Sequence, residues 1–137
     1  LCAFELVWAC CPKIDFPEGS VPLELILKQP IITYARNTRP FAEIQNLFRE
    51  EIIEPVRIFP STSLAACKRM SMDGIGVGTL PITYIRDEVA EGLLKILPST
   101  WTPSSLEFTA SYPREPFNRM AERIAALAQE TAKDADK

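Results

Sequence analysis

Histidine is absent from the 137 residues of this chain. Without it, neither a Ser-His nor a Cys-His catalytic pair can form within the chain, and the commonest metal-binding side chain is missing. The cysteines Cys2, Cys10, Cys11 and Cys67 have a spacing that fits no zinc-binding pattern. We therefore expect no metal site and no resident cofactor, and we interpret the cysteines as buried, reduced thiols of a cytoplasmic protein.

Long apolar runs and an excess of basic residues are also missing. No stretch reaches the roughly 18 apolar residues of a membrane span, so no transmembrane helix is predicted. The 15 basic and 18 acidic residues give a formal net charge of −3, which is not the electrostatic footprint of a nucleic-acid-binding protein. The apolar start is interrupted by Glu5 and follows no basic segment, so it is interpreted as a strand rather than a signal peptide.

Strand and helix patterns alternate along most of the chain. The strands are short apolar, β-prone runs, and the helices begin at prolines or at hydroxyl-bearing residues. Such alternation builds βαβ units, so the sequence predicts an α/β fold with a mainly parallel sheet flanked by helices. The predicted strands are residues 4–9, 31–34, 56–59, 75–80, 93–97 and 106–111, and the predicted helices are 22–28, 40–51, 63–72 and 116–131, with one helical turn at 82–85.

The most informative segment is residues 61–81, STSLAACKRMSMDGIGVGTLP. Hydroxyls at its start can cap a helix, and a glycine follows the end of that helix before a short strand begins. Gly76 and Gly78 lie inside this strand, where glycine weakens the structure unless something approaches closely. A ligand, another stretch of backbone or a tightly packed helix would each explain them, and the sequence leaves these interpretations open.

This segment resembles the S-S-L-A-x-x-x-x-V-x-x-G-x-G-V-x-x-L-P block in the effector-binding domain of LysR-type transcriptional regulators. Further resemblances follow in the same order along nearly the whole chain, and it is their order rather than any single motif that is specific. They are LVW at residues 6–8 with CP at 11–12, PIITY at 30–34, NTRPF at 37–41 and EGLLKIL at 91–97.

The resemblance implies two α/β lobes like those of type II periplasmic binding proteins, joined by crossing strands. Residues 1–8 resemble the first crossing strand, 9–97 the second lobe, and 98–137 the second crossing and the C-terminal part of the first lobe. We expect a fragment, because the chain does not begin with Met and the family's N-terminal winged helix-turn-helix has no counterpart. The implied function is to bind a small, anionic effector between the lobes of a bacterial cytoplasmic regulator and so control DNA-bound oligomers, with DNA contacted only by the missing domain.

The first candidate site follows the strand at 31–34, because ligands of open α/β sheets bind beyond the carboxyl ends of the strands. Guanidinium groups suit carboxylates, amides and hydroxyls add neutral donors, and a helix start favours an anion. A solvated loop with a helix cap at Thr38 is the competing interpretation. The candidate effector-binding residues here are Arg36, Asn37, Thr38, Arg39 and Phe41.

Two further walls of the site are predicted. Ser61 and Thr62 precede a helix, where their hydroxyls either face the ligand or cap the helix. Gly78 and Thr79 form the third candidate, since glycine lets a ligand approach the backbone.

Self-association is expected through the second lobe, using the helix that runs from Pro40 to Glu51 and the strand from Val56 to Phe59. A solvated outer face is the alternative. A solute-binding protein of a transport system shares the implied architecture and is the competing function. An enzyme is not expected, because the sequence shows no nucleophile–base pair and GIGVG lacks dinucleotide-binding spacing.

Overall fold

The computed structural model describes residues 2–50, 56–113, 115–116 and 118–135. The chain forms a larger unit, Glu5–Ser104, and a smaller unit in which Leu1–Phe4 joins Ser105–Lys137. The elements in chain order are β1 (Cys2–Phe4), β2 (Leu6–Cys10), α1 (Leu23–Leu27), β3 (Ile31–Tyr34), α2 (Arg39–Glu50), β4 (Ile58–Ser61), α3 (Leu64–Met72), β5 (Val77–Pro81), a 3-10 turn (Ile82–Tyr84), α4 (Arg86–Ala90), β6 (Lys95–Leu97), β7 (Leu106–Phe108) and α5 (Arg119–Ala135).

The sheet of the larger unit has the strand order β4-β3-β5-β2-β6. β3 pairs in parallel with both β4 and β5, whereas β2 runs antiparallel to β5 and to β6. The predicted α/β class is confirmed, and all strands of this sheet except β2 point the same way. The exception is the strand through which the chain enters the sheet, where Trp8 lies opposite Thr79 on one side and Leu97 on the other.

The core lies on both faces of this sheet. β2 lies inside the sheet, between β5 and β6, and is buried at every residue, and alternate side chains of each strand pack against different helices. The indole N–H of Trp8 donates to the Trp101 carbonyl oxygen at 2.8 Å, which holds the segment after β6 against the core on one face of the sheet. This cluster contains Trp8, Cys10, Val21, Ile26, Leu27, Ile31, Ile44, Val77 and Leu97, and the opposite one contains Val7, Ala9, Ile32, Cys67, Leu80, Ile85 and Leu94.

The predicted bounds of β4 were wrong in a way that bears on the site, and one helix was missed. β4 was predicted from Val56 to Phe59 but spans Ile58–Ser61, so Ser61 ends the strand instead of opening the loop. The prediction stopped the strand before Pro60, yet β4 is an edge strand, where a missing N–H is tolerated. α4 was not predicted at all.

In the smaller unit, β1 pairs antiparallel with β7, and the Phe4 and Phe108 rings meet edge to face at 5.6 Å. α5 follows after a loop. The side chain of Asn118 caps this helix by accepting hydrogen bonds from the N–H groups of Met120 and Ala121. α5 therefore starts later than the predicted residue 116 and continues beyond 131. No helix in the described ranges is long and apolar enough to cross a membrane.

The ion pair between Lys68 and Glu88 joins α3 to α4, and the Tyr84 ring centre lies 4.3 Å from the Lys68 ammonium. The hydrogen bond between the two charged groups raises the pKa of Lys68 and lowers the pKa of Glu88. We therefore expect the pair to stabilise the fold fully between the ordinary values of 4.5 for glutamate and 10.5 for lysine. This stabilisation declines below 4.5, as acid protonates Glu88, and above 10.5, as Lys68 loses its proton.

The measurement is urea unfolding of the wild type and of Lys68→Met across this pH range. The difference in unfolding free energy between them should be constant near neutrality and shrink on acidification. Arg69→Met is the matched control, because the Arg69–Asp73 pair is solvent-exposed and such pairs contribute little. A Lys68→Met difference that does not change with pH would show that the pair adds nothing.

Candidate functional site

The carboxyl ends of β3 and β4 lie side by side, with Tyr34 as the register partner of Ser61. The loop after β3 and the loop after β4 therefore begin at the same edge of the sheet. Parallel pairing of β3 with β5 brings the residues after Pro81 to this edge as well. The sheet topology thus assembles one polar rim from three separate chain segments.

The loop from β3 to α2 presents exposed side chains on a tightly held backbone. Both the N–H and the hydroxyl of Thr38 donate to the Ala35 carbonyl oxygen, at 3.0 and 2.7 Å. The Thr38 carbonyl oxygen accepts the first helical hydrogen bond, from Ala42. This turn leaves Arg36 and Asn37 exposed at the start of α2. The Thr38 hydroxyl donates into this turn, and among the described residues it caps no N–H of α2, while effector binding by the loop stays a prediction.

The two arginines of this loop differ in their partners. The Arg39 guanidinium donates to Glu43 Oε1 at 2.9 Å, while the other oxygen of Glu43 accepts the Ser104 N–H at 2.7 Å. Partial burial alone would raise the pKa of Glu43, but the hydrogen bonds from Ser104 and Arg39 hold it below the usual value. Glu43 is therefore ionised and neutralises Arg39.

Arg36 has no carboxylate partner among the described residues. Its guanidinium carbon lies 5.9 Å from the centre of the Phe41 ring, within the range of a cation–π interaction. Phe41 itself is only 5% exposed, so it contacts Arg36 but offers little surface to a ligand. Arg36 is consequently available to meet an anion at this rim.

Three hydroxyl side chains lie at the end of β4 and just after it; two of them make local hydrogen bonds and one is exposed. Ser63 Oγ accepts the Ala66 N–H at 3.2 Å and caps α3, and Ser61 Oγ accepts the Ser63 N–H at 3.1 Å. Thr62, between them, is exposed, and its side chain has no hydrogen bond within the described chain. Of the two predicted residues here, Ser61 therefore serves the local turn and Thr62 faces solvent.

Gly78 and Thr79 lie inside the protein. A Cβ on Gly78 would lie 2.3 Å from Ser71 Oγ on α3, so this glycine permits close packing of the helix on the sheet. Thr79 is 1% exposed, and its hydroxyl is 2.8 Å from that of Thr33. Their contact with an effector stays a prediction, but burial gives both residues a structural role.

The hydroxyl pair of Thr33 and Thr79 gives a second expected result. Thr79→Val should lower the unfolding free energy by about 1–3 kcal/mol, because the buried Thr33 hydroxyl loses its partner. Adding Thr33→Val should recover most of that loss, since both polar groups are then removed. Urea unfolding of the two single variants and the double variant tests the coupling, and strictly additive effects would contradict it.

The buried titratable groups of the larger unit are held neutral. Burial raises the pKa of Tyr34, whose hydroxyl has no hydrogen-bond partner in the described chain. Burial likewise raises the pKa of Cys67 and takes that of Cys10 to about 11. Cys67 donates to the Thr33 carbonyl oxygen at 3.6 Å. These thiols are free and protonated, which does not suit a nucleophile.

The sequence reasoning missed the third segment of the rim. Ile82, Thr83 and Tyr84 are exposed and follow β5 directly, whereas Gly78 and Thr79 lie before its end. The available signal was Pro81, which marks the end of a strand parallel to β3. Among the described residues, no group of three or more Cys, Asp or Glu side chains is placed to hold a metal ion.

Comparison with known proteins places this geometry in context. The family model described as LysR substrate binding domain matches residues 1–133. The regulatory domain of Synechocystis PCC6803 CcmR in complex with 2-PG is similar, with a TM-score of 0.68, 17% identity and coverage of 96% of this chain and 64% of that one. No curated protein matches.

Two other regulatory domains show the same fold. That of MetR, a LysR family regulator from N. meningitidis, has a TM-score of 0.69 at 16% identity, covering 98% of this chain and 62% of the other. The apo-form of the HypT domain from Salmonella typhimurium gives 0.58 at 21% identity, covering 91% and 63%. The chain therefore spans less than two thirds of the length of these domains.

Proposed function

This chain belongs to the LysR substrate-binding domain family, and we propose that the rim formed after β3, β4 and β5 is one wall of its effector site. The effector is a small anion. The observation that supports this choice is Arg36, an exposed guanidinium held over Phe41 with no carboxylate partner in the described chain. A planar guanidinium recognises carboxylate or phosphate through paired hydrogen bonds.

The neighbouring groups suit the same ligand. Asn37 and Thr62 are exposed and add neutral donors at the same rim, and the start of α2 contributes the positive end of a helix dipole. Pro40 has no N–H, so the first turn of α2 offers fewer backbone donors than an ordinary helix start. Side chains rather than backbone therefore provide most of the recognition.

A second lobe completes the site in this proposal. Small-molecule sites bury most of the ligand surface, whereas this rim is open. About a third of each similar regulatory domain lies outside the part that this chain covers. The chain alone should hence bind anions weakly, in the millimolar range.

Binding would act on the arrangement of subunits. A ligand shifts such an equilibrium only if it binds one arrangement better, and a cleft between lobes that closes on the effector provides that difference. In the whole regulator, a DNA-binding domain outside this chain would respond to the change, in the bacterial cytoplasm.

Self-association of the larger unit is proposed through α2 and β4. β4 is an edge strand with Phe59 exposed, and such edges readily pair with another chain. α2 carries exposed charges of both signs, among them Arg49 and Glu50. Glu51, the predicted end of this helix, lies outside the described residues.

The family match favours a regulator over the alternative, a solute-binding protein of a transport system. The matched family is also not a family of enzymes.

The function is tested by thermal unfolding of the chain with acetate, benzoate, sulfate and phosphate. Neutral benzamide and glycerol serve as controls. A ligand at ten times its Kd stabilises the folded state by about 1.4 kcal/mol, so at least one anion should raise Tm by several degrees when its concentration is about ten times the expected millimolar Kd. Equal effects of benzoate and benzamide would argue against an anion site.

A further inference from the structure

The segment after β6, residues 98–104, is held against the larger unit by contacts of two kinds. In its middle, the Trp101 carbonyl oxygen accepts the indole N–H of Trp8 at 2.8 Å, and Trp8 is fully buried. At its end, the Ser104 N–H donates to Glu43 Oε2 at 2.7 Å, and this contact is exposed. The middle of the segment is therefore fixed to the core, whereas its end is held by a charged side chain of α2.

Glu43 is shared between this segment and the rim. Its Oε1 accepts the Arg39 guanidinium at 2.9 Å, and its Oε2 accepts the Ser104 N–H. The side chain of Arg39 is 65% exposed and that of Glu43 is 24% exposed. Charge-assisted hydrogen bonds are the stronger ones, and here two donors draw on the charge of one carboxylate. When one donor leaves, the carboxylate binds the other more strongly.

The hydrogen bond from Ser104 is important because little else holds this end of the segment. Thr102 and Ser104 are exposed, on either side of the buried Pro103. An open groove of about 250 Å³ lies between the segment and α2, and both Glu43 and Ser104 line it. Ser104 can therefore respond to a change at Glu43 without disturbing the core.

We propose that Glu43 is a positioning residue that couples anion binding at the rim to the hold on Ser104. The coupling rests on the anion site proposed above. An anion that meets Arg36 also attracts Arg39, three residues further along the chain. As Arg39 turns towards the anion, Glu43 loses one donor and binds the Ser104 N–H more strongly. The larger unit ends at Ser104, so the change occurs where the chain leaves this unit.

The first test is the affinity of Glu43→Gln for an anion. The neutral amide releases Arg39 to the rim, so binding should tighten about ten-fold, as expected for one added hydrogen bond between charged groups. In an Arg39→Gln background, the same change should alter affinity less than about three-fold, because no guanidinium is released. Affinity is measured by amide titration with whichever of acetate, benzoate, sulfate and phosphate stabilises the wild type most.

Glu50→Gln is the matched control of equal charge change. Glu50 is exposed and lies seven residues beyond Glu43 on α2, roughly 10 Å along the helix. Its loss should alter affinity less than about two-fold, because salt screens exposed charges at that separation. Circular dichroism of each variant checks that the helices remain folded.

The second test is the response of the Ser104 amide. In the wild type, saturating anion should move its proton resonance downfield and slow its hydrogen exchange. Arg39→Gln should still bind the anion at Arg36 but lose this response. The Val21 N–H is the internal control, since it donates to the Pro98 carbonyl oxygen at the other end of the segment, at 2.7 Å, and should not change.

The outcomes separate the coupling from the anion site itself. A wild type that binds none of the four anions would overturn the proposed site and the coupling with it. Anion binding that Glu43→Gln fails to tighten, or tightens equally in the Arg39→Gln background, would overturn the coupling alone. A Ser104 amide that responds equally in the wild type and in Arg39→Gln would do the same.

Discussion

Gly76→Ala should destabilise the larger unit by about 3 kcal/mol or more, near the upper end of overpacking costs. A Cβ at this position would lie 2.1 Å from the Pro30 carbonyl oxygen. That oxygen is a backbone atom, so no rotamer change can move it. It also accepts the Val77 N–H at 2.8 Å, at the start of the pairing between β3 and β5. Relieving the clash would therefore separate the two strands.

The control for this variant is Gly19→Ala. Gly19 has a φ of +83°, and a Cβ placed on it would have no other atom within 4 Å. Alanine there should therefore cost only the strain of a left-handed backbone, about 1–2 kcal/mol. Gly76 is not among the residues with positive φ, and its cost should come from the clash alone. Urea unfolding measures both, and a Gly76→Ala variant as stable as Gly19→Ala would contradict the packing argument.

Arg36→Gln should weaken anion binding about 10-fold to 100-fold. Hydrogen bonds to charged groups contribute about 1.5–3 kcal/mol, and Arg36 is the guanidinium of the rim without a carboxylate partner in the described chain. The variant should keep its unfolding free energy, because the side chain is exposed. Isothermal titration with the anion that stabilises the wild type most strongly measures the change.

Two arginines on α2 provide matched controls of equal charge change. Arg39→Gln should alter affinity less than about three-fold, because Glu43 already neutralises this guanidinium. Arg49→Gln, in the last turn of the same helix, should have no effect. Equal losses in all three variants would indicate a general electrostatic effect instead of a contact with Arg36.

The elements that the sequence predicted well are those defined by local patterns. β3 has the predicted bounds, because four β-prone residues lie between Pro30 and a polar loop. α4 was missed since it is only five residues long and is preceded by Ile85, which is neither a proline nor a capping side chain. The reversal of β2 depends on pairing with β5 and β6, which are distant in sequence. No periodicity within β2 contains that information.

The site shows the same division between local and distant causes. A polar loop after a parallel strand could be predicted from residues 31–41 alone. The difference between Arg36 and Arg39 could not, because it depends on Glu43, which Ser104 holds from 61 residues away. Likewise, the Thr79 hydroxyl can be buried because it shares a hydrogen bond with the hydroxyl of Thr33 on the neighbouring strand. Charge and hydroxyl patterns locate a candidate site, and tertiary partners decide which side chains remain available.

The most direct test of the proposed effector site is amide chemical-shift mapping of the ¹⁵N-labelled chain during titration with the stabilising anion. We predict saturable shifts at Arg36, Asn37, Thr38 and Thr62, and none at Glu18 or Lys95, which lie on a groove elsewhere in the larger unit. At the anion concentrations that saturate the wild type, Arg36→Gln should lose most of these shifts. Shifts confined to other segments, or shifts at the rim that persist in Arg36→Gln, would contradict the account.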